Sequence, residues 1–300
     1  MIEVKSIHKN YENIKAVENL SMSVNPGEIY GIIGPNGAGK STTLRMILNI
    51  ISCDQGEILF DGKTISEDDK NRIGYLPEER GLYKKSDVKS LLRLLGELKG
   101  CERSFLDKRI NYWLERFDLL NWKDRKAEEL SKGMAQKIQF ISSIIHEPEI
   151  IILDEPFSGL DPVSSDELRD IVAELKNDNR VIIFCTHIME QAEKICDKIL
   201  LLNKGKVVVQ GPLDQVKREH GSNSVYLEFD GDGDFLKSLP QVVKLIQYPR
   251  AFEIELIDEP GASDELLKRA VEKLSISRFE IKRPSLHKIF IDMVGKGEIL

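Results

Sequence analysis

The feature that most constrains the fold is a glycine-rich loop between an apolar run and a helical pattern. The loop follows the apolar run 29–33 and precedes residues 44–51, whose apolar side chains recur on one helical face. Strand, loop and helix in this order match the phosphate-binding pattern GxxxxGK[ST]. The loop consists of Gly34, Pro35, Asn36, Gly37, Ala38, Gly39, Lys40, Ser41 and Thr42.

This order of residues suits the binding of a polyphosphate. Glycines allow the backbone to wrap so closely that successive N–H groups point at the β- and γ-phosphates, and the start of the following helix adds its dipole. Lys40 is expected to neutralise phosphate oxygens, and the hydroxyl of Ser41 is a candidate Mg²⁺ ligand. A glycine-rich turn without a ligand is the alternative, which the complete strand, loop and helix pattern disfavours.

A second candidate element is an apolar strand that ends in two adjacent carboxylates. Residues 150–153 are apolar, and Asp154 and Glu155 follow them. Because successive strand residues face opposite ways, the two acids can serve different roles. We expect Asp154 to hold Mg²⁺ through water and Glu155 to polarise a water that attacks the γ-phosphate in line. Acids in such places also cap helices, but the phosphate loop upstream favours the catalytic interpretation.

Charge and apolar content argue against several classes of protein. The 300 residues carry a formal net charge of -7, so no global positive field holds the chain on nucleic acid or on an anionic membrane. No apolar run approaches the ~20 residues of a membrane-spanning helix. The alternation in residues 1–10 predicts a strand rather than a targeting peptide. If the protein acts at a membrane, another chain must supply the pore.

The order of predicted elements indicates an α/β fold with a smaller second domain. Short apolar runs at 150–153 and 181–185 alternate with helical patterns, as in a parallel sheet covered on both faces. Residues 84–145 form a predicted helical insert. After a Gly/Ser/Asn break, strands and helices follow in a new order, which predicts a small α+β domain. We therefore expect a first domain of residues 1–220 and a second of residues 221–300.

The segment 130–134 carries the most specific resemblance. Its sequence, Leu-Ser-Lys-Gly-Met, is similar to the LSGGQ signature of ATP-binding-cassette (ABC) transporters, and the likeness to their nucleotide-binding domain runs across about residues 1–220. The side chain of Ser131 is expected to cap a helix that begins near Gly133, which makes the helix start a second anion site. A plain helix cap is the alternative for this segment taken alone.

The resemblance implies a P-loop NTPase cassette, with a mixed sheet core and a helical insert, that binds ATP and Mg²⁺. In such a cassette Ser131 and Gly133 grip the γ-phosphate that the phosphate loop of a second subunit holds. The resemblance further implies that Asp161 contacts the opposing subunit. It also implies that His187 is the switch histidine, which contacts the γ-phosphate and holds the catalytic water.

Three further positions contribute to the expected nucleotide site. Tyr11 matches the aromatic residue that stacks on adenine, a contact that contributes ~1 to 3 kcal/mol, and Val17 lies in the same segment. Glu78 stands where the family has a glutamine, and its carboxylate is a hypothetical Mg²⁺ ligand that adds negative charge beside the phosphates. Because Lys132 and Met134 also depart from the signature, we expect hydrolysis to be slower or differently coupled.

The forms YLPEERGLY and LSKGM resemble the branch of ABC ATPases similar to the sodium-export NatA type, which ends in a small domain. This resemblance implies an ATP-hydrolysing subunit of an exporter, placed in the cytoplasm at the inner face of the membrane. We expect an ATP-induced homodimer and a separate transmembrane permease as partners, and no nucleic acid. A soluble ABC ATPase that drives a non-membrane process and a weakly catalytic, nucleotide-regulated module are the alternatives.

Overall fold

The chain divides into two compact units, Met1–Pro212 and Leu213–Leu300. The computed structural model describes residues 1–79, 81–220, 224–257, 259, 261–282 and 284–297. The helix Leu213–Glu219, which the sequence placed in the first domain, falls in the second unit by this division. Most of the predicted Gly/Ser/Asn break, residues 221–223, lies outside the described residues. Within the described ranges, no helix is long and apolar enough to span a bilayer.

Two sheets build the first unit. Their strands are β1 (Ile2–Tyr11), β2 (Ile14–Val24), β3 (Glu28–Ile33), β4 (Gln55–Phe60), β5 (Lys63–Thr64), β6 (Ile73–Leu76), β7 (Ile150–Asp154), β8 (Val181–Thr186), β9 (Lys198–Asn203) and β10 (Lys206–Pro212). One sheet has the order β2-β1-β4-β5 and is antiparallel. The other has the order β10-β9-β3-β8-β7-β6, in which only the pair of β10 and β9 is antiparallel among the described strands.

The parallel strands bring the candidate site residues to one edge of their sheet. β7 and β8 are buried along their whole length, as expected of strands covered on both faces. The phosphate loop follows β3, Glu78 follows β6, the acids lie at the end of β7, and His187 follows β8. Because parallel strands have their carboxyl ends at the same edge, these segments meet there. The predicted α/β core is confirmed.

Helices of the first unit are α1 (Lys40–Ile47), α2 (Val88–Glu97), α3 (Arg103–Arg116), α4 (Lys132–Ile144), α5 (Pro162–Asn177) and α6 (Met189–Ile195). The helical pattern predicted from the sequence runs to residue 51, about one turn beyond the observed end of α1 at Ile47. Asn49 adopts a left-handed φ of 51°, and the N–H groups of Asn49 and Ile50 bond to carbonyls one turn back. This arrangement is a Schellman end, which an asparagine in the left-handed conformation favours.

The second unit is a sheet covered by a helix. It contains α7 (Leu213–Glu219), β11 (Ser224–Asp230), β12 (Val242–Tyr248), β13 (Ala251–Leu256), α8 (Ala262–Val271), β14 (Ser275–Lys282) and α9 (Leu286–Gly297). The strands form an antiparallel sheet in the order β12-β13-β11-β14. Alternate strand residues such as Leu227 and Ile254 pack with Leu266 of α8. The predicted α+β character is confirmed, although the helix expected near residues 234–239 is a 3₁₀ turn, Asp234–Ser238.

Candidate active site

The phosphate loop adopts a backbone that requires glycine at particular positions. Gly39 has φ +106°, and a Cβ at this residue would lie 2.3 Å from the carbonyl oxygen of Ala16. A Cβ at Gly34 would lie 2.1 Å from the carbonyl oxygen of Leu202 in β9. Lys40 closes the loop, because its Nζ donates to the carbonyl oxygens of Gly34, at 2.8 Å, and of Pro35, at 3.1 Å. The loop is therefore preformed.

A cavity of about 450 Å³ opens at this loop and gathers most of the predicted polar residues. Asp154 and Glu155 lie in it opposite the start of α1, and Glu78 joins them from the loop after β6. Carboxylate and hydroxyl oxygens are the ligands that Mg²⁺ prefers, so the donor set fits this ion. The lining residues are Ile14, Lys15, Ala16, Asn36, Gly37, Gly39, Lys40, Ser41, Thr42, Glu78, Asp154, Glu155 and Lys204.

The carboxylate of Glu155 is held by two residues at the end of β8, Thr186 and His187. Its Oε1 accepts hydrogen bonds from the backbone N–H of His187, at 2.8 Å, and lies 2.6 Å from Nδ1 of the same residue. Its Oε2 accepts from the hydroxyl of Thr186 at 2.9 Å. Since a carboxylate only accepts, this contact assigns a hydrogen to Nδ1. His187 does not line the cavity directly, but it is bonded to the candidate base.

Glu155 also has a left-handed backbone, with φ 49°. For a residue with a side chain this conformation costs about 1 to 3 kcal/mol and persists only where the surroundings determine it. Here the N–H of Glu155 donates to the carbonyl oxygen of Cys185 at 2.9 Å. This conformation turns the side chain toward the end of β8.

Asp154 is 3% exposed, and its burial affects its ionisation. Its pKa is raised to about 6, mainly by burial; the nearby carboxylates of Glu78 and Glu155 add to the increase, whereas a hydrogen bond from Cys185 and the charge of Lys40 oppose it. A buried carboxylate that is costly to ionise gains from a bound cation, because the cation offsets the lost hydration. The electrostatics therefore favour a metal ion beside Asp154.

The two residues expected near the adenine ring, Tyr11 and Val17, occupy different environments. Tyr11 is 45% exposed at the end of β1, and Nζ of Lys9 lies 5.7 Å from its ring centroid. Val17 has no exposed surface and belongs to the hydrophobic core. Neither lines the cavity, whereas their neighbours Ile14 and Ala16 do. In this structure Ala16 lies at the cavity wall and Val17 lies behind it in the core, and a role of Val17 in nucleotide binding stays a prediction.

Ser131 caps α4, as the sequence predicted. Its Oγ accepts a hydrogen bond from the N–H of Met134 at 3.2 Å. Ser131 and Gly133 lie at a second cavity of about 270 Å³, which Asp161 also lines. The carboxylate of Asp161 is occupied within its own chain, because it accepts from the N–H and the hydroxyl of Ser164 and so caps α5.

Sequence reasoning missed four polar residues at the candidate active site. Lys15 and Lys204 line the nucleotide-sized cavity, and Thr186 orients Glu155. Gln139 of α4 bonds to the loop that carries Glu78. Lys204 and the glycine after it indicate a turn that follows β9. Nothing in the local sequence indicates that this turn lies beside the phosphate loop.

Comparison with known proteins identifies the family and the fold. The sequence profile described as ABC transporter matches residues 17–158, and that of the C-terminal domain of DrrA1-3-like ATP-binding proteins matches residues 211–294. The ABC transporter ATP-binding protein YhaQ of Bacillus subtilis is 42% identical over 98% of this chain and 99% of its own length. The chain belongs to the ABC transporter ATP-binding proteins. As such, it is an ATP-binding subunit of an ABC transporter.

Other members of this family agree with the assignment. NatA of Bacillus subtilis, an ABC transporter ATP-binding protein, is 37% identical over 71% of this chain and 88% of its own. A solved ATP-binding subunit of an ABC transporter superposes with a TM-score of 0.69 and 32% identity, covering 73% of this chain and 92% of that one. The predicted relationship to NatA and the predicted cassette fold are confirmed. The roles of individual residues stay predictions.

Proposed function

We propose that this ABC transporter ATP-binding protein hydrolyses ATP as a homodimer and drives a separate transmembrane permease that exports its substrate. In this proposal it lies in the cytoplasm, bound to the permease at the inner face of the membrane. Two ATP molecules lie between the subunits. Each is held by Lys40 and Ser41 of one chain and by Ser131 and Gly133 of the other. Hydrolysis then lets the halves separate.

The observation that carries this proposal is the separation of the two candidate anion sites within one chain. The cavity at the phosphate loop and the cavity at Ser131 have no described lining residue in common. A helix start capped by Ser131 offers N–H groups to an anion, yet in this chain it does not contribute to the phosphate-loop cavity. A second copy is the simplest source of the missing half.

Residue chemistry supports a division of labour in the cavity. Lys40 binds phosphate oxygens, while Ser41, Asp154 and Glu78 hold Mg²⁺, which supplies charge neutralisation of the β- and γ-phosphates. Glu155 takes up the proton of the attacking water. His187 and Thr186 orient the carboxylate of Glu155. The hydrogen bonds that both residues make to this carboxylate support that role.

Names of similar proteins support the dimer and the direction of transport. A structure titled as the dimeric ABC transporter cassette MJ0796 superposes with a TM-score of 0.65 and 24% identity, over 71% of this chain and 99% of that one. The LptB protein of Haemophilus influenzae, 29% identical over 76% of this chain and 97% of its own, is named for lipopolysaccharide export. These assignments belong to those proteins, and we extend dimerisation and export to this chain as hypotheses.

Glu155→Gln tests the catalytic part of the proposal. The amide keeps an acceptor for the N–H of His187, so the fold should be retained, but it accepts a proton poorly. We expect ATP hydrolysis to fall by ~10²-fold or more while ATP with Mg²⁺ still brings two chains together. Phosphate release and light scattering after size exclusion measure the two effects.

Two controls separate binding from hydrolysis. Lys40→Ala should abolish ATP-dependent dimerisation, because it removes the cation at the phosphate loop. Ser131→Ala should leave ATP binding to the monomer unchanged and weaken dimerisation, because it removes the cap of the helix that faces the partner. Near-normal turnover in Glu155→Gln would rule out Glu155 as the base, and a monomer under all these conditions would rule out the shared sites.

A further inference from the structure

A buried glutamine of α4 is bonded to the loop that presents Glu78. This loop, residues 77–79, follows β6 and is called the Glu78 loop below. Nε2 of Gln139 donates to the carbonyl oxygen of Glu79 at 3.0 Å and to that of Pro77 at 3.4 Å. One amide group therefore holds the backbone on both sides of Glu78.

The approach of α4 to β6 is unusually close, and it fixes the position of Gln139. A Cβ at Gly74 of β6 would lie 1.9 Å from the carbonyl oxygen of Ser143 and 2.8 Å from Cγ of Pro148. Gln139 and Ser143 are four residues apart and face the same side of the helix. The helix backbone is thus seated directly on the strand that leads into the Glu78 loop, and Gln139 has little freedom to move away.

The amide of Gln139 has a free-energy cost at its buried position. Gln139 is 5% exposed, and within the described residues its Oε1 is buried without a hydrogen-bond partner. An unsatisfied buried acceptor costs about 1 to 3 kcal/mol, which a leucine of similar size would avoid. Exchanging the amide atoms would not help, because Oε1 would then face two carbonyl oxygens. The two bonds to the loop are the evident gain from a polar group here.

We propose that Gln139 is a positioning residue. It holds the Glu78 loop so that the carboxylate of Glu78 reaches the proposed Mg²⁺ position beside Ser41 and Asp154. The helix that begins at Ser131 thereby sets the metal geometry of its own subunit's nucleotide site. The inference rests on the proposed function in one respect, the role of Glu78 as a Mg²⁺ ligand. Residues that orient metal ligands in this way typically change metal affinity or activity by about 10- to 100-fold when they are removed.

The same helix supplies a matched control. Gln136 is 3% exposed, and its Nε2 donates to the carbonyl oxygen of Pro156 at 3.0 Å. It has the residue type, the burial and the kind of bond of Gln139, but it contacts the loop after β7 instead of the Glu78 loop. Gln136→Leu therefore reproduces the packing change of Gln139→Leu without touching the Glu78 loop.

The test is the Mg²⁺ concentration for half-maximal ATP hydrolysis by the full chain, in a cycle with Glu78→Ala. Gln139→Leu should raise this concentration about 10-fold in the wild-type background and change it little where Glu78 is already alanine. Two substitutions that act through one group are non-additive, whereas independent ones add. Gln136→Leu should have the same effect in both backgrounds.

Hydrogen exchange supplies a readout that does not depend on catalysis. Gln139→Leu should accelerate amide exchange in the Glu78 loop, because the carbonyl anchors of its backbone are lost, while Gln136→Leu should not. Gln139→Asn, whose amide is one methylene too short to reach the loop, should behave like Gln139→Leu and serves if the leucine variant does not fold. Unchanged exchange in the Gln139 variants would overturn the proposal.

The remaining outcomes distinguish the two hypotheses. If Glu78→Ala raises the Mg²⁺ requirement and Gln139→Leu does not, the positioning role fails and the metal role of Glu78 stands. If Glu78→Ala leaves the Mg²⁺ requirement unchanged, Glu78 is no metal ligand, and this inference falls with that part of the proposed function. Equal effects of Gln139→Leu in both backgrounds also overturn the inference, because the glutamine would then act independently of Glu78.

Discussion

Asp154→Asn should stabilise the nucleotide-free protein at neutral and alkaline pH. Burial is the main reason that the pKa of Asp154 is raised to about 6. In the unfolded chain the same carboxyl group has a pKa near 3.9. Above pH 6 the folded protein therefore carries a buried carboxylate that the unfolded chain hydrates fully. Asparagine removes this charge and keeps an oxygen that can accept the hydrogen bond from Cys185.

The size of the effect follows from the difference between the two pKa values. An increase from about 3.9 in the unfolded chain to about 6 in the folded protein corresponds to about 3 kcal/mol. The sign is that of an acid whose pKa is raised on folding: the cost is present above pH 6, decreases as pH falls through 6, and is gone below about pH 4, where both states are protonated. Urea unfolding of both proteins with EDTA, at pH 8 and at pH 4.5, measures the difference.

Asp161→Asn is the control with the opposite sign. The backbone N–H of Ser164, with its hydroxyl, holds the pKa of the exposed Asp161 below its ordinary value. Its charge therefore stabilises the fold above the unfolded-state pKa, and the variant should be less stable at pH 8 and approach the wild type as pH falls. If Asp154→Asn were destabilising at pH 8, or if its effect did not shrink toward pH 4.5, the burial argument for Asp154 would be wrong.

Two further predictions concern the strand β6 and its neighbours. Gly74→Ala should destabilise the first unit by about 1 to 3 kcal/mol or more, because the new Cβ meets the backbone of Ser143, whereas Gly81→Ala, with nothing within 4 Å, should leave thermal unfolding unchanged. Burial lowers the pKa of His146 to about 4, so its contribution to stability is full above pH 6.5 and declines by about 3 kcal/mol as pH falls to 4. His146→Gln should therefore lose less stability than the wild type as pH falls from 6.5 to 4, as measured by unfolding experiments.

Parts of the site that are contiguous in sequence could be predicted. The phosphate loop joins its strand, its glycines and its helix within one segment, so the local pattern determines the geometry. The cap at Ser131 is equally local, since it bonds to the N–H three residues ahead. Asp154 and Glu155 were found for the same reason, because an apolar strand leads directly into them. Each of these features depends on periodicity and short-range hydrogen bonds.

Parts of the site that depend on distant segments could not be predicted. Val17 and Ala16 are adjacent, and only the packing of β2 decides that the valine enters the core while the alanine lines the cavity. The contact of Gln139 with the Glu78 loop joins residues about 60 positions apart. In the sequence Gln139 has no feature that separates it from an ordinary polar residue of a helix, because the unsatisfied acceptor exists only in the folded state.

The orientation of Glu155 depends on a strand other than its own. β7 delivers the residue, but its left-handed backbone directs the carboxylate to the end of β8, where Thr186 and His187 supply all of the hydrogen bonds described for its side chain. The sequence at the end of β7 therefore specifies that an acid is present, and the sequence at the end of β8 specifies where its oxygens lie. A carboxylate offers about four lone-pair positions, so the hydrogen bonds from Thr186 and His187 leave room for a further donor such as water at Glu155.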